Sequence, residues 1–263
     1  MGVSVMVNVG KKLEGGTRSK GEVKISIAGK PLISVITVVL NGEKHLEQTI
    51  QSVIGQSYTN IEYIVVDGGS TDGTLDIIRK YEDKIDYWVS EADKGIYDAM
   101  NKGLDAARGD WVFFLGSDDA LYNSRTISDA TLFLDKDMSL VFGNIIYNDG
   151  KIVKSGFNMF TLLHNTVHHQ SAFYNASLFR SWRYDSRLRL IADYEMNLRI
   201  YLRKLKYRHM DNIISLCDNR GQSRDNLKLA FSETNIVRNK YVRGPLGVIL
   251  SLLYFIKFKI SSG

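Results

Sequence analysis

The feature that most constrains the fold is a regular alternation of apolar runs and helical patterns between Leu32 and Asp119. The apolar, largely β-branched or aromatic runs are residues 32–39, 61–66, 87–89 and 111–115. Between them, apolar residues recur three and four positions apart, which is the spacing of one helix face. Strands joined by single helices form right-handed units with a parallel sheet. The sequence therefore predicts an α/β fold in which helices flank a parallel sheet.

After Asp119 this alternation becomes less regular. The pattern predicts a helix over Thr126–Leu134 and a short strand over Leu140–Gly143. Asn148–Gly150 are turn residues between two short apolar runs, which is typical of a β-hairpin. We therefore expect a mixed, mostly parallel sheet with an antiparallel extension in the second half.

Two prolines, Pro31 and Pro245, bracket the organised part of the chain. We place one domain over residues 31–220 and a helical C-terminal tail over residues 221–263. Residues 1–30 are rich in Gly, Lys and Val and lack the apolar core and cleavage pattern of a signal peptide. They are predicted to form an irregular leader or tag-like segment.

Charge and cysteine content exclude several classes of protein. The single cysteine, Cys217, rules out an internal disulfide framework, so a reducing, cytoplasmic location is the simplest expectation. The net charge is +5, and basic residues concentrate in residues 180–208 and 220–259. This favours an anionic partner such as ligand phosphates or lipid headgroups, and a merely solvated basic face is the alternative. No nucleic-acid-binding motif occurs, so we expect no nucleic-acid partner.

The tail contains one long apolar run, Leu246–Ile256, which is followed by Lys257 and Lys259. This run is too short to span a bilayer comfortably, but it is long enough to lie in the interface. Docking on the domain itself, or on a second subunit of a homo-oligomer, are the alternatives. We expect peripheral contact of residues 246–259 with the inner face of the cytoplasmic membrane.

Acidic residues follow two of the predicted strands. Asp118 and Asp119 come after the run 111–115, and Asp67 comes directly after the run 61–66. The carboxyl ends of strands in an open α/β sheet form the crevice in which ligands bind. Adjacent carboxylates repel unless a cation or a proton lies between them, and a hard cation can bridge carboxylate and phosphate oxygens. A solvated acidic turn is the alternative for Asp118 and Asp119.

Two polar clusters stand out in the second half. His168 and His169 are adjacent, so on a strand they would point to opposite faces, and one of them could contact a phosphate or a metal. A structural histidine is an equally good interpretation. Asp193 opens a predicted helix, where it would either favour the helix dipole or, if it faces the crevice, act as a general base.

The chain resembles family 2 glycosyltransferases, the inverting enzymes with the GT-A (Rossmann-like) fold that build bacterial surface polysaccharides. The resemblance rests on four stretches that occur in the family's order, namely Ser34–Gly42, Val65–Thr74, Ser90–Gly103 and Gly109–Asp119. The second half resembles the family only through His169-Gln170 and Asp193–Glu195.

The resemblance implies roles for individual residues. Asp67 would bind the nucleotide base, Asp118 would coordinate a divalent metal, Mn²⁺ or Mg²⁺, and Asp119 would support it. Asp193 would be the catalytic base. Further donor-binding positions would be Asn41, Asp93, Asn101, Ser117, Asp118 and His169. The donor would be a nucleotide-sugar, with UDP as the default nucleotide, and the acceptor a saccharide or a lipid-linked sugar.

The chain departs from the family at Gly116, where the family often has the first acid of a Leu-Asp-x-Asp-Asp motif. This position leaves one ligand or ribose contact in question. It also supports the alternative function, a non-catalytic protein on the same fold that binds nucleotide-sugars or carbohydrates. The joint presence of Asp67, Asp118, Asp119 and Asp193 favours the enzyme.

Overall fold

The computed structural model describes residues 12–219 and 226–262, and the side chains of this set through residue 256. The strands are β1 Leu13–Gly15, β2 Ile33–Val39, β3 Ile61–Asp67, β4 Tyr87–Ser90, β5 Trp111–Gly116, β6 Ala120–Leu121, β7 Leu140–Tyr147, β8 Ile152–Val153, β9 Ala172–Asn175 and β10 Tyr207–Cys217. The α-helices are α1 Leu46–Ile54, α2 Thr74–Lys80, α3 Ile96–Ala106, α4 Thr126–Thr131, α5 Ala192–Leu202, α6 Leu227–Tyr241 and α7 Gly244–Ser262.

The described strands form one ten-stranded sheet in the order β1-β4-β3-β2-β5-β9-β7-β10-β6, with β8 paired to β7. Strands β4, β3, β2 and β5 are parallel neighbours, as the alternating pattern predicts. Strand β9 lies antiparallel between β5 and β7 and so ends the parallel half of the sheet. The prediction of a mixed, mostly parallel sheet flanked by helices is confirmed.

The parallel strands are buried on both faces, which explains their continuous apolar sequences. On one face, Ile36 and Phe114 pack in a core with residues of α3 and α5. On the other face, Val35 and Phe113 pack in a second core with residues of α1. Because successive strand residues point to opposite faces, a single run such as Trp111–Gly116 supplies both cores.

The antiparallel extension contains the predicted hairpin, because β7 pairs with β8 across the turn Asn148–Gly150. Strand β7 is longer than predicted, since Asn144 interrupts the apolar pattern without interrupting the strand. Its side chain is buried, donates to the Asp211 carbonyl at 3.2 Å and accepts from the Ser155 N–H at 3.1 Å. A polar residue can occupy a buried strand position when both of its side-chain groups are paired in this way.

Part of the predicted irregular leader is ordered. Residues 1–11 lie outside the described residues, but Leu13–Gly15 forms β1 and pairs antiparallel with β4. Arg18 then forms an ion pair with the buried Glu62 and donates to the Ala106 carbonyl at 2.8 Å. A strand of three residues is too short to produce a periodic sequence signal, so the sequence does not predict that residues 1–30 contribute to the sheet.

The helical tail packs on the domain through polar contacts of α6. Glu233 accepts from the Arg189 N–H at 2.7 Å and from the Leu190 N–H at 2.9 Å, just before α5. Lys240 donates to Glu195 at 2.7 Å. The expected domain limit at residues 220 and 221 lies outside the described residues. None of the helices described has both the length and the apolar character needed to cross a membrane.

Candidate active site

The candidate active site lies at the carboxyl ends of β2, β3 and β5, where hydrogen bonds tie two loops together. Asn41 follows β2 with a positive φ of 53°. Its Oδ1 accepts from the Thr71 N–H at 2.9 Å, and its own N–H donates to Ser70 Oγ at 2.7 Å. Asn41 therefore lies at the predicted place and shapes the crevice, with its side-chain oxygen already bonded to the neighbouring loop.

Asp67 ends β3 and has no exposed surface. Its carboxylate accepts from the Ser70 N–H at 3.2 Å and from Ser90 Oγ at 2.6 Å. The Ser70 hydroxyl also donates to it. A base or ribose would have to displace one of these hydroxyls, so base binding by Asp67 stays a prediction.

Asp93 packs beside Asp67, because its carboxylate lies directly over Gly68 and would collide with any side chain there. It accepts from the Gly95 N–H at 2.8 Å. Burial raises the pKa of Asp93; the Gly95 hydrogen bond opposes this shift, and the charge of Asp67 adds to it. The structure thus brings two predicted donor-site carboxylates to one crevice.

Asp118 and Asp119 follow β5 in different environments. Asp118 is exposed, and no hydrogen bond to its carboxylate is found among the described residues. Asp119 is only 5% exposed and accepts from the Asp218 N–H at 3.3 Å. Burial raises the pKa of Asp119 to about 6, the charge of Asp118 adds to this rise, and His169 opposes it. The Asp119 carboxyl therefore binds a proton more tightly than a free aspartate does, and the exposed Asp118 adds negative charge beside it.

Gly116 is explained by the position of these carboxylates. A Cβ atom at residue 116 would lie 2.5 Å from Asp119 Oδ2 and 3.1 Å from Asp118 Oδ1. The Asp119 carboxylate thus folds back over the position of the first acid in the family's motif. Both remaining acids occupy the space that a side chain at residue 116 would need.

A divalent cation fits the Asp118–Asp119 pair only together with a ligand. Among the described residues, no group of three or more His, Cys, Asp or Glu side chains could hold a metal ion by itself. Gln170 lies beside Asp119, and its buried Oε1 atom has no hydrogen-bond partner among the described residues. Mg²⁺ prefers about six oxygen ligands and often takes several of them from phosphates and water. The two carboxylates therefore fit a cation that arrives with a diphosphate.

Asp193 is the second residue of α5 and is 7% exposed. Its Oδ1 accepts from the Tyr194 N–H at 2.9 Å and from Tyr97 OH at 3.4 Å. Its Oδ2 accepts from Asn165 Nδ2 at 2.8 Å and contacts His169 Nδ1 at 3.3 Å. The predicted base is thus held by four neighbours.

His169 connects the two acidic regions of the site. Its Nδ1 contacts Asp193, and its charge acts on the pKa of Asp119. The turn that carries His169 therefore lies between Asp193 on α5 and the strand β5 that precedes Asp118 and Asp119, although these segments are far apart in the sequence. The neighbouring His168 precedes a short 3₁₀ turn at residues 169–171.

Two predicted donor-site residues have other contacts. The Asn101 amide donates to the Tyr184 carbonyl at 2.9 Å and accepts from the Tyr184 N–H at 3.0 Å. The Asn101 side chain thereby holds the Tyr184 backbone, and its predicted contact with the donor stays a prediction. The Ser117 carbonyl accepts from Thr49 Oγ1 at 2.9 Å, which fixes the loop that carries Asp118.

Sequence patterns did not identify three residues that complete the site. Tyr97 lies within the family-like stretch Ser90–Gly103, but nothing in the sequence singles it out. Gln170 stands out in the sequence only as part of His169-Gln170. Asn165 lies in an irregular segment with no periodic signal, and only its contact with Asp193 shows its importance.

A mixed, mostly parallel sheet flanked by helices, with a crevice lined by acidic groups at its carboxyl edge, is an α/β architecture of the GT-A type. The family description "Glycosyl transferase family 2" matches residues 34–206, which is well over half of the chain. The protein therefore belongs to glycosyltransferase family 2 and is a glycosyltransferase.

Individual relatives agree with this assignment. A PGL/p-HBAD biosynthesis glycosyltransferase of Mycobacterium bovis is 35% identical over 179 residues, which is 65% of this chain and 70% of the relative. The fold is similar to that of S. aureus TarS in complex with UDP, with a TM-score of 0.65, 20% identity and coverage of 85% and 70% of the two chains. It is also similar to a Pyrobaculum calidifontis mannosyltransferase in complex with GDP-Man and Mn²⁺, with a TM-score of 0.65, 18% identity and coverage of 86% and 70%.

Proposed function

We propose that this enzyme is a metal-dependent, inverting glycosyltransferase of surface polysaccharide synthesis. It transfers a sugar from a nucleotide-sugar, with a UDP-sugar as the expected donor, to a hydroxyl of a saccharide or lipid-linked acceptor. The observation that carries the proposal is the position of His169: its Nδ1 lies 3.3 Å from Asp193 Oδ2, and its turn packs against β5, the strand that precedes Asp118 and Asp119. This arrangement supplies a proton acceptor and a diphosphate-binding region on two sides of one crevice.

The proposed reaction is a single in-line displacement. Asp193 accepts the proton of the acceptor hydroxyl, whose oxygen forms a bond to the anomeric carbon of the sugar. The bond between that carbon and the diphosphate oxygen breaks, the electron pair leaves on the nucleoside diphosphate, and the configuration inverts. A cation bound at Asp118 and Asp119 would supply charge neutralisation for the diphosphate.

Two observations support a metal at this position. The first is the closeness of two carboxylates, because Asp119 Oδ2 and Asp118 Oδ1 lie 2.5 Å and 3.1 Å from the same point, the Cβ position at residue 116, and a bound cation would relieve their repulsion. The second is the similar fold of the mannosyltransferase whose complex contains Mn²⁺. The UDP complex of TarS supports a uridine nucleotide in the same way.

A donor panel tests the proposal. UDP- and GDP-sugars would be incubated with candidate saccharide and lipid-linked acceptors, with Mn²⁺, with Mg²⁺ or with a chelator, while release of nucleoside diphosphate is measured. We expect release with one nucleotide class, dependent on the metal and stimulated by an authentic acceptor. Donor binding without release in the presence of an authentic acceptor would instead identify a non-catalytic binding protein.

The proposed base has its own test. Asp193→Asn keeps the size of the side chain but removes the proton acceptor, so we expect transfer to fall by about 10²- to 10⁴-fold. Binding of the nucleotide, measured by calorimetry, should remain unchanged. Full transfer activity in this variant would show that another group is the base.

We also propose that α7 holds the enzyme at an anionic membrane surface. Large apolar side chains of this helix are exposed, including Val248 at 71% and Leu252 at 60%. Residues 227–262 contain one carboxylate, Glu233, which is buried and bonded to backbone amides. The exposed surface of this hairpin is therefore apolar and basic, which matches a bilayer with anionic headgroups.

Vesicle sedimentation tests the membrane proposal. Wild-type protein should sediment with vesicles that contain phosphatidylglycerol, and the double variant Val248→Asp/Leu252→Asp should remain in solution. Leu132→Asp is the matched control, because Leu132 is 79% exposed but directly follows α4. Binding that survives the double variant, or a concentration-dependent dimer that the double variant abolishes, would contradict a membrane role for this surface.

A further inference from the structure

A chain of hydrogen bonds runs from the sheet to the proposed base. Tyr174 on β9 donates through its hydroxyl to Asn197 Oδ1 at 2.9 Å. Asn197 Nδ2 donates to Asn165 Oδ1 at 2.9 Å, and Asn165 Nδ2 donates to Asp193 Oδ2 at 2.8 Å. Tyr174 and Asn197 are completely buried. Three residues that lie outside the family-like stretches thus end on the Asp193 carboxylate.

A backbone carbonyl fixes the direction of this chain. Asn197 Nδ2 also donates to the Val167 carbonyl at 2.9 Å, and a carbonyl can only accept. The amide nitrogen of Asn197 must therefore face Asn165, so Asn165 must present its oxygen to Asn197. The Asn165 amino group is left to face Asp193, and it can only donate there.

Helix geometry places the two ends of the chain together. Asp193 and Asn197 are four residues apart on α5, so they lie on the same face of that helix. Asn165 bridges them from the irregular segment before β9. Asn197, on the same helix as Asp193, consequently orients the Asn165 amide that donates to the Asp193 carboxylate.

The four contacts of Asp193 differ in length. The two short ones come from the Tyr194 N–H at 2.9 Å and from Asn165 at 2.8 Å, one on each carboxylate oxygen. The two long ones come from Tyr97 OH at 3.4 Å and from His169 at 3.3 Å. The short pair fixes the plane of the carboxylate, and the long pair is weaker and easier to replace.

We propose that Asn165, oriented by Asn197 and Tyr174, is a positioning residue that holds the Asp193 carboxylate in the orientation needed to receive the acceptor proton. The acceptor hydroxyl replaces one of the two long contacts, while the Asn165 and Tyr194 contacts persist. This inference rests on the proposed role of Asp193 as the base. It assigns a function to the hydrogen-bonded chain Tyr174–Asn197–Asn165, which ends on the Asp193 carboxylate.

A double-mutant cycle tests the proposal. Asn165→Ala should reduce kcat by about 10- to 100-fold, because a misplaced base is less effective, and should leave the KM for the donor unchanged. In the Asp193→Asn background, the same substitution should cause no further loss, since there is no base left to orient. Transfer rates would be measured with radiolabelled donor, so that the slow Asp193→Asn reaction is quantified.

Two further variants complete the experiment. Asn158→Ala is the matched control, because Asn158 caps the 3₁₀ turn at Met159–Leu162 in the same segment and does not contact Asp193. It should keep normal kcat. Tyr174→Phe removes only the distant hydroxyl, keeps the buried ring, and should reduce kcat by a smaller factor of about 2- to 5-fold. It provides a folded variant if thermal melting shows that Asn165→Ala has lost its structure.

The outcomes separate this inference from the proposed function. An equal fractional loss from Asn165→Ala in both backgrounds would show a purely structural role and overturn the inference. Normal kcat in Asn165→Ala, combined with an inactive Asp193→Asn, would overturn it as well while leaving Asp193 as the base. Full activity of Asp193→Asn would overturn the proposed base and, with it, the positioning role.

Discussion

The Asp118–Asp119 pair and Asp193 are held in opposite ways. Asp118 is exposed and accepts no hydrogen bond from the described residues. The neighbouring Asp119 is buried, and this burial raises its pKa to about 6. Asp193, in contrast, is contacted by an amide, a phenol, an imidazole and a backbone N–H. The Asp118 carboxylate thus has no hydrogen-bond donor among the described residues, whereas the Asp193 carboxylate has four contacts.

This difference matches the two roles proposed for the regions. A site that binds a cation gains affinity from charge that the protein itself does not neutralise. A base that acts on one hydroxyl benefits from a fixed orientation, which hydrogen-bond donors provide. Substitutions in each region separately test this difference, and the quantities to measure are the metal response, the stability and the transfer rate.

In the Asp118–Asp119 region, the largest expected effect is the loss of Asp118. Asp118→Asn removes the exposed charge, so we expect transfer to fall by about 10²- to 10³-fold and the response to Mn²⁺ to disappear. Titration of the metal in a transfer assay measures both. Asp76→Asn is a matched control, because Asp76 is an exposed aspartate on α2. If Asp118→Asn kept the metal response of the wild type, the first region would not be a cation site.

The next effect concerns pH and stability. Because the pKa of Asp119 rises from 3.8 to about 6 on folding, the folded protein binds this proton more tightly than the unfolded chain. The contribution of Asp119 to the free energy of unfolding is therefore greatest below about pH 4, falls between about pH 4 and pH 6, and stays low above that range. The loss amounts to about 3 kcal/mol.

Urea unfolding in chelator measures this dependence. Asp119→Asn cannot ionise, so its stability relative to the wild type should increase as the pH rises from 4 to 7. Adding Mn²⁺ with UDP at pH 7 should stabilise the wild type and have little effect on the variant. A constant difference between the two proteins across this pH range would show that Asp119 titrates normally in the folded state.

A smaller effect is expected at Gly116. Gly116→Ala would place a Cβ atom 2.5 Å from Asp119 Oδ2 and push the carboxylate aside. Since Gly116 is not among the residues with positive φ, the effect is steric and does not arise from backbone strain. We expect transfer to fall by about tenfold, with a higher metal requirement.

Gly156→Ala is the control, because its new Cβ meets only the flexible end of Asn158 at 3.3 Å. Normal kinetics in Gly116→Ala would mean that the Asp119 position is not critical.

The two regions also differ in how far the sequence could predict them. The parallel half follows from local patterns, because each strand and its helix lie within one continuous stretch, and Asp67, Asp118 and Asp119 directly follow strands. The site around Asp193 depends on contacts between distant segments. No common motif links Asn165, Asn197 and Tyr174. The buried Asn144 also interrupts the apolar pattern of β7, although the strand itself is continuous. Only the folded chain places these residues together.

The smallest expected effect tests whether α6 supports Asp193 without affecting the donor region. Glu233 accepts from the N–H groups of Arg189 and Leu190, directly before the helix that carries Asp193. Glu233→Gln keeps one acceptor oxygen and loses the other, so one of the two N–H groups loses its partner. We expect a loss of about 1 kcal/mol in the free energy of unfolding, measured by urea titration.

Nucleotide binding by Glu233→Gln should remain normal, because its contacts lie on the Asp193 side of the molecule. Its kcat should fall only slightly, since the Asn165 and Tyr194 contacts still hold the carboxylate. Weaker nucleotide binding in this variant would show that the two regions are coupled through α6. The contrast between a metal-dependent region and an independently supported base would then have to be replaced by a single cooperative site.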